Sequence, residues 1–287
     1  MISRVFSDKL KEYNPANDIE QEHVLAELMQ MLTLSMLAKT DFFTQAAFHG
    51  GTFLRLFHSL DRFSEDLDFV LKQQNPDFAW APYLEQVKNG CEAEGVHFEA
   101  VDKSNADNAV KKAFLKSDSV GKVLLLELPF DRFSKRKIKI KFEIDTHPPM
   151  GSKFETNYLS FPMPSPVTTQ TLSSSFAGKL HALLCRPYPK GRDWYDFIWY
   201  VSKKTSLDAV LLENALKQTG PWSESPLTVT PAWTIGALRD RIKAIDWIAT
   251  REDVRPFVPL KNQEQLALWS DSFFLKQADY LSVAWGA

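Results

Sequence analysis

The sequence predicts an α/β protein: an N-terminal domain with a mixed, mostly antiparallel sheet flanked by helices, and then a helical C-terminal domain. Three observations predict this fold class. Short segments of the N-terminal half alternate apolar and polar residues, whereas the C-terminal half repeats apolar residues at helical spacing. A stretch rich in Pro, Ser and Thr, residues 148–170, lies between them and is typical of an irregular connection. We expect domains at residues 1–165 and 166–287, with the helical domain completing the cleft of the first.

The elements of the N-terminal half follow one another in a recognisable order. Residues 18–38 space their apolar side chains as a helix does and carry acids near the start, where the helix dipole favours them. Residues 42–51 predict a short buried strand that ends in glycines, and residues 52–60 predict a helix directly after it. In residues 64–71, apolar and acidic side chains alternate, which predicts a strand with one acidic face.

The remaining segments predict more strands and then only helices. A helix and a strand at residues 96–101 follow Pro76, and two further strands occupy residues 122–130 and 135–147. The last strand places Ile138, Ile140, Phe142 and Ile144 on one face and Lys139, Lys141, Glu143 and Asp145 on the other. Its basic part, residues 132–141, is typical of a solvated hairpin face, with contact to an RNA backbone as the alternative. Helices are predicted at residues 171–186, 193–204, 207–218, 234–250 and 263–285.

Composition excludes several classes of protein. The 287 residues are 44% hydrophobic, which is ample for a core, and the net charge of -2 means that any polyanion site must be local. Only Cys91 and Cys185 are present, without CxxC spacing, which argues against a disulfide framework and a thiolate zinc site and predicts two buried thiols. Neither a signal peptide nor an apolar run of roughly 20 residues is present, so we expect a cytoplasmic protein without membrane association.

Asp66 and Asp68 on the predicted acidic strand have two interpretations. The ordinary one is a solvated pair on an edge strand. The functional one is that two Mg²⁺ ions need oxygen ligands on a rigid base, with a third carboxylate from a neighbouring strand, while substrate phosphates complete their coordination. Glu143 and Asp145 are the candidates for the third carboxylate. Carboxylates so close together would repel one another without a cation.

The glycines before the helix suggest a phosphate site. Gly50 and Gly51 permit positive φ and a close backbone approach, and the N–H groups of a helix that starts near Thr52 would point at a bound anion. The hydroxyl of Thr52 adds a donor. A glycine pair or an Asp-x-Asp alone means little, but both in one turn, helix and strand unit are much more specific.

The stretch GGTFLRLFHSLDRFSEDLDF resembles the signature of the AbiEii/AbiGii nucleotidyltransferase-fold toxins, a MenT-like group within the polymerase β-like superfamily. In that signature a Gly-Gly-Thr/Ser element precedes a helix, and Arg-x-Ser-x-Asp-x-Asp opens the next strand. The later matches are a helix lysine, a Lys-x-Glu strand and an Arg-Asp-x-x-Asp element. The matching residues are Gly50, Gly51, Thr52, Arg62, Ser64, Asp66, Asp68, Lys141, Glu143, Lys179, Arg186, Arg192, Asp193 and Asp196.

This resemblance implies the toxin of a type IV toxin-antitoxin or abortive-infection system. Such an enzyme transfers a nucleoside monophosphate from a nucleoside triphosphate (NTP) to a hydroxyl, which in some members is a tRNA 3′ end, with Mg²⁺ or alternatively Mn²⁺ as cofactor. The implied partners are the NTP, a tRNA acceptor and a cognate antitoxin encoded nearby. The implied catalytic residues are Asp66, Asp68, Lys179 and Asp196; the implied metal ligands are Asp66, Asp68, Glu143 and Asp145; and the implied NTP-binding residues are Gly50, Gly51, Thr52, Arg62, Ser64 and Lys179.

Several alternatives stay open at this level. Spacing alone would make Lys179 a solvated helix lysine. Asp196 has three interpretations: it orients Lys179 or Arg186, it acts at the acceptor site, or it belongs with Arg192 and Asp193 to a structural ion-pair network. The acceptor hydroxyl could also belong to a small molecule such as an aminoglycoside, or to a protein. A degenerate member would bind nucleotide without turnover.

Overall fold

The chain divides into two units, each assembled from separate stretches of sequence. The computed structural model describes residues 2–94, 96–101, 119–127, 137–223 and 225–284. Unit 1 consists of Met1–Ser59, Phe63–Pro148 and Phe154–Thr169, and unit 2 of Leu60–Arg62, Pro149–Lys153 and Gln170–Ala287. The two domains predicted from the sequence, 1–165 and 166–287, stay a prediction.

Unit 1 is an α/β unit built on one mixed sheet. Its helices are α1 (Ile2–Tyr13), α2 (Asp18–Leu37), α3 (Phe42–Gln45), α4 (Gly50–His58) and α5 (Ala81–Ala93). Its strands are β1 (Ala46–His49), β2 (Asp66–Leu71), β3 (His97–Val101), β4 (Ser119–Glu127), β5 (Lys137–Asp145), β6 (Phe154–Leu159) and β7 (Ser165–Gln170). In the described residues the sheet has seven strands in the order β3-β4-β5-β2-β1-β7-β6. The predicted fold class is confirmed.

The strand β2 lies inside this sheet and has one buried and one acidic face. It pairs antiparallel with β1 and parallel with β5. Leu67 and Phe69 are buried, as are Phe142 and Ile144 on β5, so the apolar faces of both strands form the core. Aromatic rings close this core, with Phe42 stacked on Trp80 at a centroid distance of 5.3 Å. The predicted alternation is confirmed for β2 and for residues 140–145 of β5, and the side chains of Ile138 and Lys139 lie outside the described part of the chain.

Two predictions for unit 1 are wrong. Residues 42–45 form the helical turn α3, whose end is marked by the bond from the Ala46 N–H to the Phe42 carbonyl, so only the second half of the predicted strand is extended. The segment 148–170 contains β6 and β7 instead of an irregular connection. Its prolines obscured the strand pattern, although β7 pairs in parallel with β1.

Unit 2 is helical in its described residues. Its helices are α6 (Leu172–Cys185), α7 (Gly191–Ser202), α8 (Ala209–Gln218), α9 (Pro231–Lys243), α10 (Trp247–Val254), α11 (Asp271–Asp279) and α12 (Leu281–Ala284), with 3₁₀ segments at Arg255–Phe257 and Leu260–Leu268. The helix predicted at 234–250 is two helices, because the side chain of Asp246 caps the start of α10. The helix predicted at 263–285 is likewise interrupted, because Ser270 caps α11.

Aromatic side chains form the core of unit 2. Trp247 stacks on Phe274 with a centroid distance of 3.9 Å, and Trp194 meets Trp247 edge-on at 5.1 Å. Of the two predicted buried thiols, that of Cys91 is buried, whereas Cys185 is partly exposed. Among the described helices, none combines the length and apolar composition that crossing a bilayer requires.

The start of α7 depends on a glycine that α10 contacts closely. A Cβ atom on Gly191 would lie 2.2 Å from the backbone oxygen of Thr250 and 3.0 Å from the Cβ of Val254. Because the obstructing oxygen belongs to the backbone, we expect Gly191→Ala to lower the free energy of unfolding by about 1–3 kcal/mol, as overpacking does. Urea denaturation followed by circular dichroism measures this change.

Gly236→Ala is the matched control for that substitution. A Cβ atom on Gly236, within α9, would meet nothing within 4 Å. Since alanine favours the helix over glycine, this variant should be more stable by about 0.5–1 kcal/mol. Equal shifts in both variants would contradict the packing assigned to Gly191.

Candidate functional site

The acidic face of β2 continues onto β5. In the parallel register Asp66 lies opposite Lys141 and Asp68 lies opposite Glu143. Residues two apart on a strand share a face, so these side chains form a block of two rows and two columns. Neighbouring strands are about 4.8 Å apart and residues i and i+2 about 6.6 Å apart. We call Asp66, Asp68, Lys141 and Glu143 the four-residue block; all four are partly exposed above the buried apolar face.

Lys141 provides the positive charge of this block. Its ammonium forms an ion pair with the carboxylate of Glu143. Burial alone would lower the pKa of Lys141, but the negative charges of Glu143, Asp66 and Asp68 outweigh burial and raise it. The ammonium therefore stays protonated at neutral pH. The prediction that residues 132–141 form a solvated basic face stays a prediction: Lys141 is partly exposed, and the side chains of residues 132–139 lie outside the described part of the chain.

The register distinguishes the two candidates for the third carboxylate. Glu143 lies directly opposite Asp68, whereas Asp145 lies opposite Val70. The Oδ1 atom of Asp145 also accepts a hydrogen bond from the His147 N–H at 2.9 Å, which ties this carboxylate to the turn after β5. The geometry thus favours Glu143 as the partner of the two aspartates.

The start of α4 approaches Asp68 very closely. Gly50 has a φ of +83°, and a Cβ atom there would lie 2.4 Å from the Oδ2 atom of Asp68. Only glycine fits this position, because any side chain would have to displace the carboxylate and would also be strained by the positive φ. The predicted glycine turn therefore brings the first N–H groups of a helix beside a carboxylate.

Two further residues that were predicted to bind NTP, Thr52 and Ser64, take part in hydrogen bonds within unit 1. Thr52 is completely buried, and its Oγ1 donates a hydrogen bond to the backbone oxygen of Asp66 at 2.5 Å. Because a hydroxyl has one proton to donate, the Thr52 side chain joins α4 to β2 in this structure, and its role as a phosphate donor stays a prediction. Ser64 is partly exposed, and its carbonyl oxygen accepts a hydrogen bond from the side chain of Gln30.

The donor chemistry of the four-residue block fits a hard divalent cation. In the described part of the chain, no group of three or more His, Cys, Asp or Glu side chains has the arrangement of a finished metal site. Two properties of the block nevertheless suit Mg²⁺: its ligand atoms are carboxylate oxygens, and Glu143 already pairs with a cation, the ammonium of Lys141.

Unit 2 contains a second charged cluster, formed between α6 and α7. Lys179 on α6 directs its ammonium at Asp193 Oδ1 at 2.7 Å and at Asp196 Oδ2 at 2.9 Å. The two aspartates lie three residues apart on α7 and therefore on one face of the helix. The side chain of Lys179 is 13% exposed and that of Asp196 is 0% exposed. Spacing alone made Lys179 a solvated lysine, and the structure corrects that alternative.

Arg62 belongs to this cluster. Its guanidinium is buried and donates two hydrogen bonds to Asp196, from Nε to Oδ1 and from Nη2 to Oδ2, both at 2.7 Å. This guanidinium is thus paired with a buried carboxylate, and its predicted role in NTP binding stays a prediction. Asp196 thus orients Lys179 and Arg62. The Nε atom of Arg186 lies 3.4 Å from the Oδ2 atom of the other aspartate, Asp193. The guanidinium of Arg192 lies over the ring of Phe257, with its Cζ atom 4.2 Å from the ring centroid.

The cluster carries more positive than negative charge. Burial alone would raise the pKa values of both aspartates, but the cations outweigh it: Lys179 and Arg186 lower the pKa of Asp193, and Arg62 and Lys179 lower that of Asp196. Burial would lower the pKa of Lys179, and the two aspartates raise it. Among these residues three cations, Lys179, Arg62 and Arg186, face two ionised carboxylates, and this excess of positive charge favours a further anion.

One of these contacts has no local signal in the sequence. The partnership of Arg62 with Asp196 joins residues 134 positions apart, which no local pattern reveals. Lys141 was visible as the neighbour of Glu143 on one strand face, because alternation places residues 141 and 143 together. This spacing of Lys141 and Glu143 is visible in the sequence, but it is equally typical of a solvated ion pair.

Asp196→Asn should destabilise unit 2 strongly. The substitution leaves the buried guanidinium of Arg62 without its counter-charge, and breaking such a pair costs about 3–5 kcal/mol of unfolding free energy. Asp279→Asn is the control, because Asp279 pairs with Arg239 at the surface, where both side chains are about half exposed. The control should change stability by less than about 1 kcal/mol in urea denaturation. Similar losses in both variants would contradict the importance of the buried pair.

Acid should weaken the wild-type protein through the same carboxylates. The folded-state pKa values of Asp193 and Asp196 lie below the unfolded value of about 3.9, so the unfolded state binds more protons in acid. Their stabilisation is complete at neutral pH and is lost as the pH falls from about 5 towards the folded pKa values. The stability deficit of Asp196→Asn relative to wild type should therefore shrink on acidification. A constant deficit in urea titrations from neutral to acidic pH would contradict this assignment.

Known proteins resemble this chain in sequence and in fold. Residues 33–273 match the family described as "Nucleotidyl transferase AbiEii toxin, Type IV TA system". Among solved structures, MenT4, a nucleotidyltransferase toxin from Mycobacterium tuberculosis H37Rv, is 18% identical, with 94% of this chain and 96% of that chain covered and a TM-score of 0.51. A provisionally assigned nucleotidyltransferase from H. pylori is 17% identical, with 90% and 92% covered and a TM-score of 0.50.

No curated protein sequence matches the chain. The likeness to the two solved structures shows the fold, and the family match, which covers most of the chain, confirms the resemblance drawn from the glycine, strand and helix motifs. The chain belongs to the AbiEii family, the nucleotidyltransferase toxins of type IV toxin-antitoxin systems.

Proposed function

We propose that this nucleotidyltransferase transfers a nucleoside monophosphate from an NTP to a hydroxyl acceptor in a reaction that requires Mg²⁺ or Mn²⁺. The observation that carries the proposal is the contact between the start of α4 and Asp68. A Cβ atom on Gly50 would lie only 2.4 Å from the Asp68 carboxylate. A group that binds anions and a group that binds cations are therefore adjacent in unit 1.

That adjacency suits a metal-bound triphosphate. The first N–H groups of the nine-residue helix α4 have no helical partners and favour a phosphate. Asp66, Asp68 and Glu143 supply carboxylate oxygens on the neighbouring strands. A divalent cation bound by these oxygens would neutralise charge on the phosphates and favour ionisation of the acceptor hydroxyl. Gly50 and Gly51 allow the phosphate to approach the backbone.

The residues of the chain position the reactants for an in-line displacement. The acceptor oxygen forms a bond to the α-phosphorus while the bond from that phosphorus to the bridging oxygen breaks and pyrophosphate leaves. The hydroxyl proton passes to a carboxylate of the acidic face formed by β2 and β5. Asp66 and Asp68 are suited to holding charge in place because their strand lies inside the sheet, between β1 and β5. Thr52 positions Asp66 through its carbonyl oxygen.

In unit 2 we assign Lys179 to a substrate phosphate. Its ammonium is partly exposed and is oriented by Asp193 and Asp196, and the excess of positive charge in the cluster supports an anionic ligand. Arg62 acts as a positioning residue because its guanidinium fixes both oxygens of Asp196. Asp196 in turn acts through Lys179.

The acceptor that we propose is a tRNA 3′ end, which the AbiEii/AbiGii resemblance implies. A cytoplasmic location and a cognate antitoxin encoded nearby belong to the same proposal. A hydroxyl of a small molecule or a protein is the alternative acceptor. The labelled product distinguishes these classes.

The test is transfer of label from each α-³²P-labelled NTP in the presence of Mg²⁺ and total tRNA. We expect wild-type protein to label RNA and Asp68→Asn to lose at least about 100-fold in rate, because the substitution removes a ligand of the cation that would stabilise negative charge in the transition state. Asp77→Asn is the matched control, since Asp77 is an exposed carboxylate in unit 1 and should leave the rate unchanged.

Each outcome of the labelling has a distinct meaning. Label on protein or on a small molecule would replace the tRNA acceptor and keep the nucleotidyl transfer. Equal labelling by wild type and Asp68→Asn would contradict the role of the carboxylates. No label with any NTP, and no pyrophosphate release, would make the protein a nucleotide-binding member without turnover.

A further inference from the structure

We propose that Lys141 is the resident counter-ion of the four-residue block, and that a divalent cation binds there only by displacing its ammonium from Glu143. Lys141 would then be a positioning residue that sets the affinity for metal. This inference rests on the proposed function, because it assumes that Asp66, Asp68 and Glu143 are the metal ligands.

The first argument is position. Lys141 lies opposite Asp66 in the register of β2 and β5, and two residues before Glu143 on the same face. Its ammonium forms the ion pair with Glu143, the carboxylate directly opposite Asp68. The ammonium of Lys141 is thus bound to Glu143, the carboxylate that would complete the metal-ligand set formed by Asp66 and Asp68.

The second argument is charge. Asp66, Asp68 and Glu143 are three carboxylates on adjacent positions of a rigid sheet, and like charges at this spacing repel one another. A single ammonium relieves part of this repulsion, and a divalent cation relieves more because it carries twice the charge and binds several oxygens. The two cations therefore compete for one set of oxygens.

The third argument is that the lysine can leave. The side chains of Lys141 and Glu143 are 36% and 30% exposed, so the ammonium has access to water. Its flexible four-carbon stem allows the charge to swing away while the strand stays fixed. Lys179 differs in this respect, because two carboxylates bind its ammonium and its side chain is only 13% exposed.

The experiment measures metal binding in the absence of NTP. Mn²⁺ is titrated into the full-length protein, and the unbound ion is counted by its electron paramagnetic resonance signal. Lys141→Gln removes the competing charge and should bind Mn²⁺ more tightly than wild type by about tenfold, within the usual range of coupling between two binding events. Lys141→Arg keeps the charge and should not bind more tightly than wild type.

Two controls make the result specific. Lys88→Gln removes one positive charge from another Lys–Glu pair of unit 1, on α5, where Lys88 and Glu92 are exposed. This variant should bind Mn²⁺ as wild type does, because its charge lies outside the block. Asp68→Asn should abolish binding in both the wild-type and the Lys141→Gln background.

Thermal unfolding provides a readout that does not depend on counting ions. A ligand that binds only the folded state stabilises it in proportion to the logarithm of its affinity. Without metal, Lys141→Gln should unfold at a lower temperature than wild type, because the carboxylates lose their counter-ion. Added Mn²⁺ should raise its unfolding temperature by more than it raises that of wild type.

The outcomes separate this inference from the proposed function. Tighter Mn²⁺ binding by Lys141→Gln alone, lost with Asp68→Asn, supports the inference. Unchanged or weaker binding by Lys141→Gln, while Asp68→Asn still abolishes it, overturns the inference and leaves the metal site in place. Equal Mn²⁺ binding by wild type and Asp68→Asn overturns both, since the carboxylates then do not hold the metal.

Discussion

The register of β2 between β1 and β5 determines what unit 1 presents to solvent. A strand has two faces, and a slip of one residue would turn Asp66 and Asp68 into the core and expose Leu67 and Phe69. The buried apolar face therefore fixes the register, since exposing those side chains would cost several kcal/mol. With the register fixed, Asp68 must lie opposite Glu143. The chemistry of the acidic face is thus held in place by the hydrophobic core on the other side of the sheet.

The charged groups of the two units differ in burial and in ion pairing. In unit 1 the carboxylates of the four-residue block are partly exposed, and Glu143 pairs with the ammonium of Lys141, an arrangement that leaves it able to exchange partners. In unit 2, Asp196 is completely buried and is satisfied by the guanidinium of Arg62 and the ammonium of Lys179. A buried charge with full pairing is a rigid element, because removing any partner leaves an uncompensated charge in a medium of low dielectric constant. The first arrangement suits ligand exchange and the second suits the precise orientation of a side chain.

Much of the fold and part of the site were predictable from residue patterns. The alternation in β2 and β5, the helix α2 and the glycine turn were all visible because their spacing reports a single local geometry. The strands β6 and β7 were missed because prolines in the same segment are typical of loops. Thr52 was assigned to phosphate from its place after two glycines, whereas the fold directs its hydroxyl to the Asp66 carbonyl. The type of a residue determines which hydrogen bonds its side chain can make, and the fold determines which of them it makes.

By itself, the sequence determined the secondary structure that carries the motifs, the faces of the strands and the family to which the chain belongs. Those properties depend on the spacing of residue types along the chain, which can be read directly from the sequence. The tertiary structure alone decided that Arg62 bonds to Asp196 and that Glu143 and not Asp145 lies beside Asp68. These are contacts between distant segments or between strands, and strand register and helix packing are set by burial of the whole core rather than by any local pattern.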